Sequence, residues 1–381
     1  MRSFFRYLRN YKFHYIPLVE ISIFKENLLY NLDIFRKIFG HSGVAPVLKS
    51  NAYGHGLVQI AKILDKEKLP FFVIDSFHEA LILRNEKIKT PLLVIGFTRI
   101  ENILQNRFNN VSFTVTSLGQ LKQLSQKIKL KVVLHLKIDT GMGRQGICMS
   151  EFDTAVELIK NNKNIFIQGL ASHFADADNL NEVYTNEQIH KWNLVVEKIK
   201  NIFPSIIHFH LSNTAGYFYH GSSTSNIARV GIGLYGIRAN SKRDQNMGLK
   251  PVLEMKSIIS GIKDYERGEK IGYNGTFEIK DKSKIALLPL GYTEGIDRRL
   301  SNKGYVKIKN QFCPIVGRVC MNITTIDVSK IKDIKMEDQV IIISRETKDK
   351  NSVENIAKTC DTITHEILVQ LPAQIRRTVI E

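Results

Sequence analysis

The chain has 381 residues, of which 43% are hydrophobic and 24% are charged, with four cysteines and a formal net charge of +17. This length and composition exclude a disordered chain and a small disulfide-stabilised domain, and they favour a globular protein of two domains. The lysines are scattered along the chain rather than grouped in blocks, so we interpret the charge as a basic surface and expect no nucleic-acid partner.

The first segment, residues 1–16, is basic and aromatic and lacks an apolar core long enough for a signal peptide. No later run approaches the ~20 apolar residues that span a membrane, so no membrane association is expected. The four cysteines form no CxxC pair, and the HFH sequence at 208–210 has no acidic or cysteine partner nearby. We therefore predict no metal site and a cytoplasmic protein with a basic extension over 1–16.

Short β-branched and aromatic runs recur through the first 240 residues, and amphipathic stretches such as 76–87, 117–128 and 150–162 separate most of them. The eight runs are VAPVLK (44–49), FFVID (71–75), PLLVIG (91–96), VSFTVT (111–116), KVVLHLKID (131–139), NIFIQGLASHF (164–174), IIHFHLS (206–212) and IARVGIGLYG (227–236). Apolar strands that alternate with helices predict a parallel sheet covered on both faces. Eight units indicate an α/β fold of the (β/α)8 TIM-barrel type over residues 17–245. An open doubly wound sheet is the alternative, although it does not usually have eight regular units.

The pattern changes after about residue 245, where strands follow one another through short turns. The strands are PVLEMKSIIS, KIALLPLGY, YVKIKN, FCPIVGRVC, TTIDVS and DQVIIIS, with one helical stretch near SVENIAKTC. This pattern predicts a mainly antiparallel β domain over residues 246–381. The strand PLVEIS (17–22) precedes the barrel pattern and is a candidate to pair with these late strands.

Polar side chains lie at the carboxyl ends of the predicted barrel strands, where the chemistry of barrel enzymes gathers. Lys49 ends the first strand, Lys137 and Asp139 end the fifth, and His173 ends the sixth; Arg229 lies in the eighth. Each of these residues alone is typical of a strand end that meets solvent. Their common placement on one rim favours a functional site.

The seventh and eighth strands add a pattern typical of anion binding. Asn213 and Thr214 follow the seventh strand, and Gly231 and Gly233 lie in the eighth, where barrels often bind phosphate through backbone N–H groups. Close packing explains these glycines equally well. A lysine nucleophile, a phosphate cradle and the lack of a metal site together favour pyridoxal 5′-phosphate, held as a Schiff base.

Seven motifs resemble those of the alanine racemase family. In chain order they are VLKSNAYGHG (47–56), LKIDTGMGRQG (136–146), HLSNTAG (210–216), RVGIGLYG (229–236), IGYNGTF (271–277), LPLGYTEG (288–295) and GRVCMN (317–322). The resemblance extends from about Leu18 to Arg377. It implies a pyridoxal-phosphate enzyme that forms a homodimer with shared active sites and interconverts L-alanine and D-alanine for cell-wall peptidoglycan.

The resemblance also implies residue roles. Lys49 would carry the cofactor and act as one base, and Tyr273 would reach in from the other subunit as the second base. Further cofactor contacts would come from Tyr53, His173, Asn213, Thr214, Arg229, Gly231, Ile232 and Tyr235. Substrate contacts would come from Arg144, Tyr292 and Met321, and Lys137 would carry a carbamate that orients Arg144.

These residue types suit racemisation, which removes the α-proton from one face and returns a proton to the other. The reaction needs an electron sink and two bases, and the ordinary pKa values of lysine (~10.4) and tyrosine (~10) must fall for them to act near neutrality. Arg229 opposite the pyridine nitrogen would stay charged and give that nitrogen no proton, which would limit side reactions. A phosphate or carboxylate clamp is the other interpretation of Arg229.

One residue departs from the family pattern. His365, in TITHEIL, stands where the family often has a tyrosine that narrows the entrance. A racemase for serine or for a broad set of amino acids is therefore an alternative. A related barrel decarboxylase and a non-catalytic cofactor carrier are further alternatives, but GYNGTF and RVCMN argue against the first, and a carrier has no use for Tyr273.

Overall fold

The computed structural model describes residues 15–40, 43–239 and 247–381. The predicted basic extension lies outside these residues except for its last two positions, and so does the predicted domain boundary at 245/246. Within the described ranges, no helix combines the length and the apolar composition needed to cross a membrane.

Eight short parallel strands form a barrel, as predicted. They are β2 (Val44–Pro46), β3 (Phe72–Ile74), β4 (Leu92–Val94), β5 (Val111–Val115), β6 (Val132–Lys137), β7 (Ile165–Ala171), β8 (His208–His210) and β9 (Ala228–Val230). Strands β3 to β8 pair in sequence order, and β2 pairs with β9. A parallel bridge between Val47 and Val73 joins β2 to β3, and the N–H of Arg229 donates to the carbonyl oxygen of Ser212 across β8 and β9 at 2.9 Å. These links close the barrel.

Eight helices lie in this domain within the described residues, and side chains cap two of them at the amino end. They are α1 (Lys25–Phe39), α2 (Lys49–Tyr53), α3 (Leu57–Leu64), α4 (Phe77–Asn85), α5 (Ile100–Gln105), α6 (Leu118–Lys127), α7 (Phe152–Lys160) and α8 (Val183–Ile202). Ser76 caps α4 by accepting from the N–H of Glu79, and Ser117 caps α6 in the same way. The three predicted amphipathic stretches correspond to α4, α6 and α7.

The second domain is mainly antiparallel, and it includes a strand from the start of the chain. Its larger sheet has the order β16 (Gln311–Pro314), β15 (Tyr305–Ile308), β18 (Gln339–Ile343), β10 (Leu253–Ile258), β1 (Val19–Phe24) and β19 (Arg376–Ile380). Strand β1 pairs antiparallel with β10 and parallel with β19. The strand that precedes the barrel therefore belongs to the sheet of the second domain.

Smaller elements complete this domain. A three-stranded antiparallel sheet contains β11 (Gly261–Tyr265), β14 (Ser283–Leu288) and β17 (Thr324–Asp327), and a short hairpin contains β12 (Lys270–Ile271) and β13 (Phe277–Glu278). The helices are α9 (Val353–Thr359) and α10 (Thr364–Val369).

The two domains share one hydrophobic core. Leu48 from the end of the first barrel strand and Leu368 from α10 belong to the same buried cluster, and both are fully buried. This packing brings α10 against α2, so that a helix of the second domain borders the carboxyl-end mouth of the barrel.

Candidate active site

A cavity of about 630 Å³ lies at the carboxyl ends of the barrel strands, a size typical of small-molecule and cofactor sites. Ten of the predicted site residues line it: Lys49, Tyr53, Lys137, Arg144, His173, Asn213, Thr214, Arg229, Gly231 and Ile232. Within the described part of the chain, no group of three or more His, Cys, Asp or Glu side chains is placed to hold a metal ion.

Lys49 enters the cavity at the start of an unusual turn. Strand β2 ends at Pro46, three residues earlier than the run VAPVLK suggested, and Lys49 opens α2. The four residues after Lys49, Ser50 to Tyr53, all have φ between 52° and 56°. Left-handed backbone costs a residue with a Cβ about 1–2 kcal/mol, so contacts from outside the segment must hold it. Left-handed backbone could not be predicted for SNAY, because these four residues include no glycine.

Tyr53, at the end of this turn, lies against Gly231 of the β9 loop. A Cβ at residue 231 would lie 2.5 Å from the Tyr53 hydroxyl oxygen, so only glycine allows the phenol to approach. Burial raises the pKa of Tyr53 to about 12, and the hydroxyl therefore keeps its proton as a hydrogen-bond donor.

Thr214 joins this group from the loop after β8. The N–H of Gly231 donates to the Thr214 hydroxyl oxygen at 3.1 Å, and the N–H of Gly233 does so at 3.4 Å. A Cβ at residue 233 would meet Phe35 and Thr214 at 2.6–2.7 Å. Gly231 thus allows the Tyr53 hydroxyl to approach, and Gly233 allows Phe35 and Thr214 to pack closely.

Tyr235 lies behind this group rather than in the cavity wall. It is fully buried, its hydroxyl donates to the carbonyl oxygen of Val47 at 2.8 Å, and its ring stacks on His55 with centroids 4.3 Å apart. The Tyr235 ring is 5.3 Å from the Tyr53 ring. The structure therefore places Tyr235 as a support for Tyr53.

Arg229 is buried at the centre of the barrel mouth and is held by acceptors on two strands. Its Nη2 donates to the carbonyl oxygen of Ser172 at 2.7 Å and to the His173 Nδ1 at 3.0 Å, and its Nη1 donates to the His210 Nδ1 at 2.7 Å. Burial lowers the pKa of Arg229 to about 10, which still leaves the guanidinium charged at neutral pH.

A histidine pair extends this network into the barrel. The His210 Nε2 lies 2.7 Å from the His135 Nδ1. Because arginine only donates, the His210 Nδ1 must accept, so the His210 Nε2 carries the proton that it donates to His135. Burial lowers the pKa of both rings, that of His135 to about 3, so both stay neutral. The sequence did not predict this pair. The HFH alternation indicates that His208 and His210 share a strand face, but nothing local marks His135 as the partner of His210.

Lys137 and Arg144 also line the cavity. Burial, together with the charges of Arg229 and Arg144, lowers the pKa of Lys137 to about 8. Arg144 is exposed in a glycine-rich loop that Asp139 shapes, because the Asp139 Oδ1 accepts from the N–H groups of Gly141 and Gly143 at 2.9 and 3.2 Å.

The remaining predicted site residues lie in the second domain and do not line this cavity. Tyr273, Tyr292 and Met321 are 70%, 44% and 58% exposed. The N–H of Tyr292 donates to the carbonyl oxygen of Cys320 at 3.0 Å, which places the Tyr292 and Met321 loops side by side.

Further residues also line the cavity, and one of them, His365, is the residue that departs from the family pattern. His365 of α10 lines it with its ring 5.6 Å from that of Tyr53, and burial and the nearby Lys49 charge lower the pKa of His365. Phe97 and Asp178 also line the cavity. They lie in loops after β4 and β7, and the local sequence of these loops does not indicate that the two residues line the cavity.

The fold and this cavity define a barrel enzyme with a lysine beside a compact group of hydroxyl and backbone N–H groups. Sequence models of the alanine racemase N-terminal and C-terminal domains match residues 23–239 and 252–379. The chain belongs to the alanine racemase family.

Individual relatives match along almost the whole chain. Alanine racemase 1 of Caldanaerobacter subterraneus subsp. tengcongensis is 31% identical over 96% of each chain, and the alanine racemase of Methanococcus maripaludis is 33% identical over 94% of this chain and 96% of its own. Among solved structures, the alanine racemase of Clostridium difficile 630 is similar with a TM-score of 0.88 and 30% identity over 96% of each chain. The alanine racemase of Bacillus anthracis with bound L-Ala-P has a TM-score of 0.88 and 26% identity over 96% of each chain.

Members of this family are pyridoxal-phosphate-dependent isomerases, and the residues present fit the cofactor. The Lys49 amine can bind its aldehyde. The Tyr53 hydroxyl, and the Thr214 hydroxyl that accepts from the Gly231 N–H and keeps its own proton to donate, form a compact pair of donors for its phosphate. The glycine-only approach at residue 231 is the observation that decides the fit, because a side chain there would fill the cradle.

Proposed function

We propose that the protein is an alanine racemase that interconverts L-alanine and D-alanine with two bases, Lys49 and Tyr273. The observation that carries this proposal is the convergence of Lys49, the Tyr53–Gly231–Thr214 cradle and the charged Arg229 on one cavity. The matching relatives bear the same name.

Four residues would hold the cofactor. Lys49 would bind it through the ε-amine, Tyr53 and Thr214 would hold its phosphate, and Arg229 would face its ring nitrogen. When bound, pyridoxal phosphate supplies the conjugated system that accepts the electron pair left when the α-proton departs. Because Arg229 is held as a charged donor by Ser172 and the two histidines, it has no proton to give up readily.

Lys49 and Tyr273 would move the protons. The substrate amine would replace the Lys49 amine on the cofactor and so free Lys49. In the D-to-L direction the freed Lys49 amine would accept the α-proton on its face, and the Tyr273 hydroxyl would give a proton to the opposite face. The reverse direction exchanges these roles, so each turnover leaves one group protonated and the other deprotonated.

The homodimer follows from the place of Tyr273. Tyr273, Tyr292 and Met321 are large side chains left exposed on the second domain, and none lines the cavity of its own chain. We propose that a second copy covers this surface, so that each active site combines the barrel of one chain with the second domain of the other.

Arg144 would bind the substrate carboxylate, and Lys137 would orient Arg144. Arg144 stands at the cavity mouth, where a guanidinium pairs well with a carboxylate. The lowered pKa of Lys137 gives it a reactive neutral amine, and we propose that it carries a carbamate that orients Arg144.

We also propose the cellular setting and the domain division. All four cysteines are free thiols, which fits the reducing cytoplasm, and D-alanine would supply peptidoglycan synthesis. The division at residues 245 and 246 lies between the two matched domain families.

A serine or broad-specificity racemase is the second candidate. His365 lines the cavity beside Tyr53, in the position where the family often has a larger tyrosine. Comparing the kcat/KM values for alanine, serine, lysine and arginine separates the two candidates. A kcat/KM that is highest for alanine supports an alanine racemase. A kcat/KM for another substrate that equals or exceeds that for alanine supports the serine or broad-specificity racemase.

Incubation with L-alanine in heavy water tests the proposed function. We expect D-alanine that carries deuterium at the α-carbon, detected by chiral chromatography and mass spectrometry, and no such product from the Lys49→Ala variant. L-alanine left unchanged by a pyridoxal-phosphate-loaded protein would refute the proposal.

A further inference from the structure

The turn that presents Lys49 is attached to the last strand of the chain through Arg377. Arg377, in β19, is buried, and its Nε donates to the carbonyl oxygen of Gly54 at 2.9 Å. Its terminal nitrogens donate to the carbonyl oxygens of Leu371, Pro372, Ala373 and Ile375 at 2.7–3.3 Å. One guanidinium therefore ties the end of the α2 turn to the loop that follows α10.

A close packing contact strengthens this connection. A Cβ built at Gly54 would lie 2.0 Å from the carbonyl oxygen of Leu368, so α10 presses directly on the backbone of residue 54. Gly54 has a φ of 79° and follows Tyr53. Helix α10 of the second domain thus fixes the carboxyl end of the left-handed turn.

The turn needs such support because its own conformation is unfavourable. Ser50, Asn51, Ala52 and Tyr53 all have left-handed backbone, which is unfavourable for residues that have a Cβ. Residues held in such regions persist only when their surroundings fix them. At the amino end the N–H of Ser50 donates to the Glu79 Oε1 at 2.9 Å. Arg377 performs the corresponding task at the carboxyl end.

We propose that Arg377 is a positioning residue for the cofactor site, which acts through Gly54 to hold Lys49 and Tyr53 towards one cavity. This inference rests on the proposed function, because it assigns the held turn to the lysine and the phosphate donor. Without Arg377 the turn relaxes towards right-handed backbone, and the Tyr53 hydroxyl leaves its place beside Gly231. The loss then falls mainly on ligands that have a phosphate.

Binding of two aldehydes to the apoprotein tests this inference. Pyridoxal phosphate and pyridoxal differ only in the phosphate, and absorbance titration gives Kd for both. For Arg377→Gln we expect Kd for pyridoxal phosphate to rise about tenfold or more, which corresponds to one lost hydrogen bond to a charged group. The fold-increase in Kd for pyridoxal should be less than half of the fold-increase for pyridoxal phosphate. Equal loss for both aldehydes, or no loss, would overturn the inference.

Arg376→Gln is the matched control. Arg376 is the neighbour of Arg377 on β19, is exposed, and its nearest carboxylate is that of Glu20 at 4.0 Å. We expect its two Kd values to stay within about twofold of those of the parent protein. A loss for Arg376→Gln equal to that for Arg377→Gln would show a general charge effect and contradict the positioning role.

Glycine at residue 52 supplies a rescue that a merely structural role would not give. Ala52→Gly removes the Cβ that makes left-handed backbone costly, so Arg377→Gln/Ala52→Gly should recover most of the lost affinity for pyridoxal phosphate. If Ala52→Gly does not reduce the loss of affinity caused by Arg377→Gln, so that the effects of the two substitutions simply add, the proposal is contradicted. If Arg377→Gln does not fold, Arg377→Lys is the substitute, because lysine keeps the charge but reaches fewer carbonyl oxygens. Its Kd for pyridoxal phosphate must then rise more than its Kd for pyridoxal, although by a smaller factor than expected for Arg377→Gln.

Failure of this inference is distinct from failure of the proposed function. A parent protein that does not bind pyridoxal phosphate at Lys49 refutes the function. A parent protein that binds it, with Arg377→Gln unchanged, refutes the positioning role of Arg377 alone.

Discussion

Arg229 and His210 are joined by a hydrogen bond of 2.7 Å, in which the guanidinium donates to the Nδ1 of a buried, neutral imidazole. The bond fixes the proton of His210 on Nε2, and His135 accepts it at 2.7 Å. The Arg229 guanidinium is therefore held in place by a neutral histidine pair, and the positive charge stays on Arg229.

His135 should contribute to stability as an acceptor rather than through its shape alone. In His135→Leu the buried N–H of His210 loses its partner, so we expect the free energy of unfolding to fall by about 1–3 kcal/mol relative to His135→Asn, whose side-chain oxygen stands near the former Nδ1. Urea unfolding of the apoproteins measures the difference. Equal stability of the two variants would contradict the proton assignment.

Arg229 should limit side reactions of the bound cofactor. Arg229→Glu places a proton-donating group beside the ring nitrogen, so we expect the ratio of pyruvate to D-alanine formed from L-alanine to rise about tenfold or more. Arg229→Lys keeps a positive charge and is the control. Product ratios that stay the same in Arg229→Glu would favour the interpretation of Arg229 as a simple clamp.

Lys137 should form its carbamate more readily as pH rises through 8. Its pKa is lowered from 10.5 to about 8, so the reactive neutral amine is the minor form at pH 7 and the major form at pH 9. Carbon-13 NMR with labelled bicarbonate should show a carbamate signal that increases over this range and is missing in Lys137→Met. Identical spectra for the two proteins would contradict the modification.

His365 should set substrate breadth at the cavity mouth. His365→Tyr restores the larger ring beside Tyr53 and narrows the entrance, so we expect the ratio of kcat/KM for alanine to that for serine to rise about tenfold. His365→Phe separates ring size from hydroxyl chemistry. If neither variant changes the ratio, the entrance is controlled elsewhere.

The barrel and most of its rim could be predicted because their signals are local. Apolar runs marked the eight strands, and polar residues such as Lys49, His173 and Arg229 followed them in sequence. The rim of a closed barrel then brings these residues together, whatever the loops do.

The remaining features depend on contacts between distant parts of the chain. The left-handed turn after Lys49 is held in part by Glu79 and Arg377, which lie far from it in sequence. The neutral state of His135 follows from burial and from a partner 75 positions away. Neither feature has a signature in the residues that display it.

The most direct test of the central claim is to mix subunits of Lys49→Ala and Tyr273→Phe, each inactive alone. If each site takes Lys49 from one chain and Tyr273 from the other, random exchange makes half of the dimers mixed, and each mixed dimer has one complete site. We therefore predict about one quarter of the parent activity after exchange is verified by mass spectrometry. No recovered activity in a verified mixture would contradict the shared two-base site.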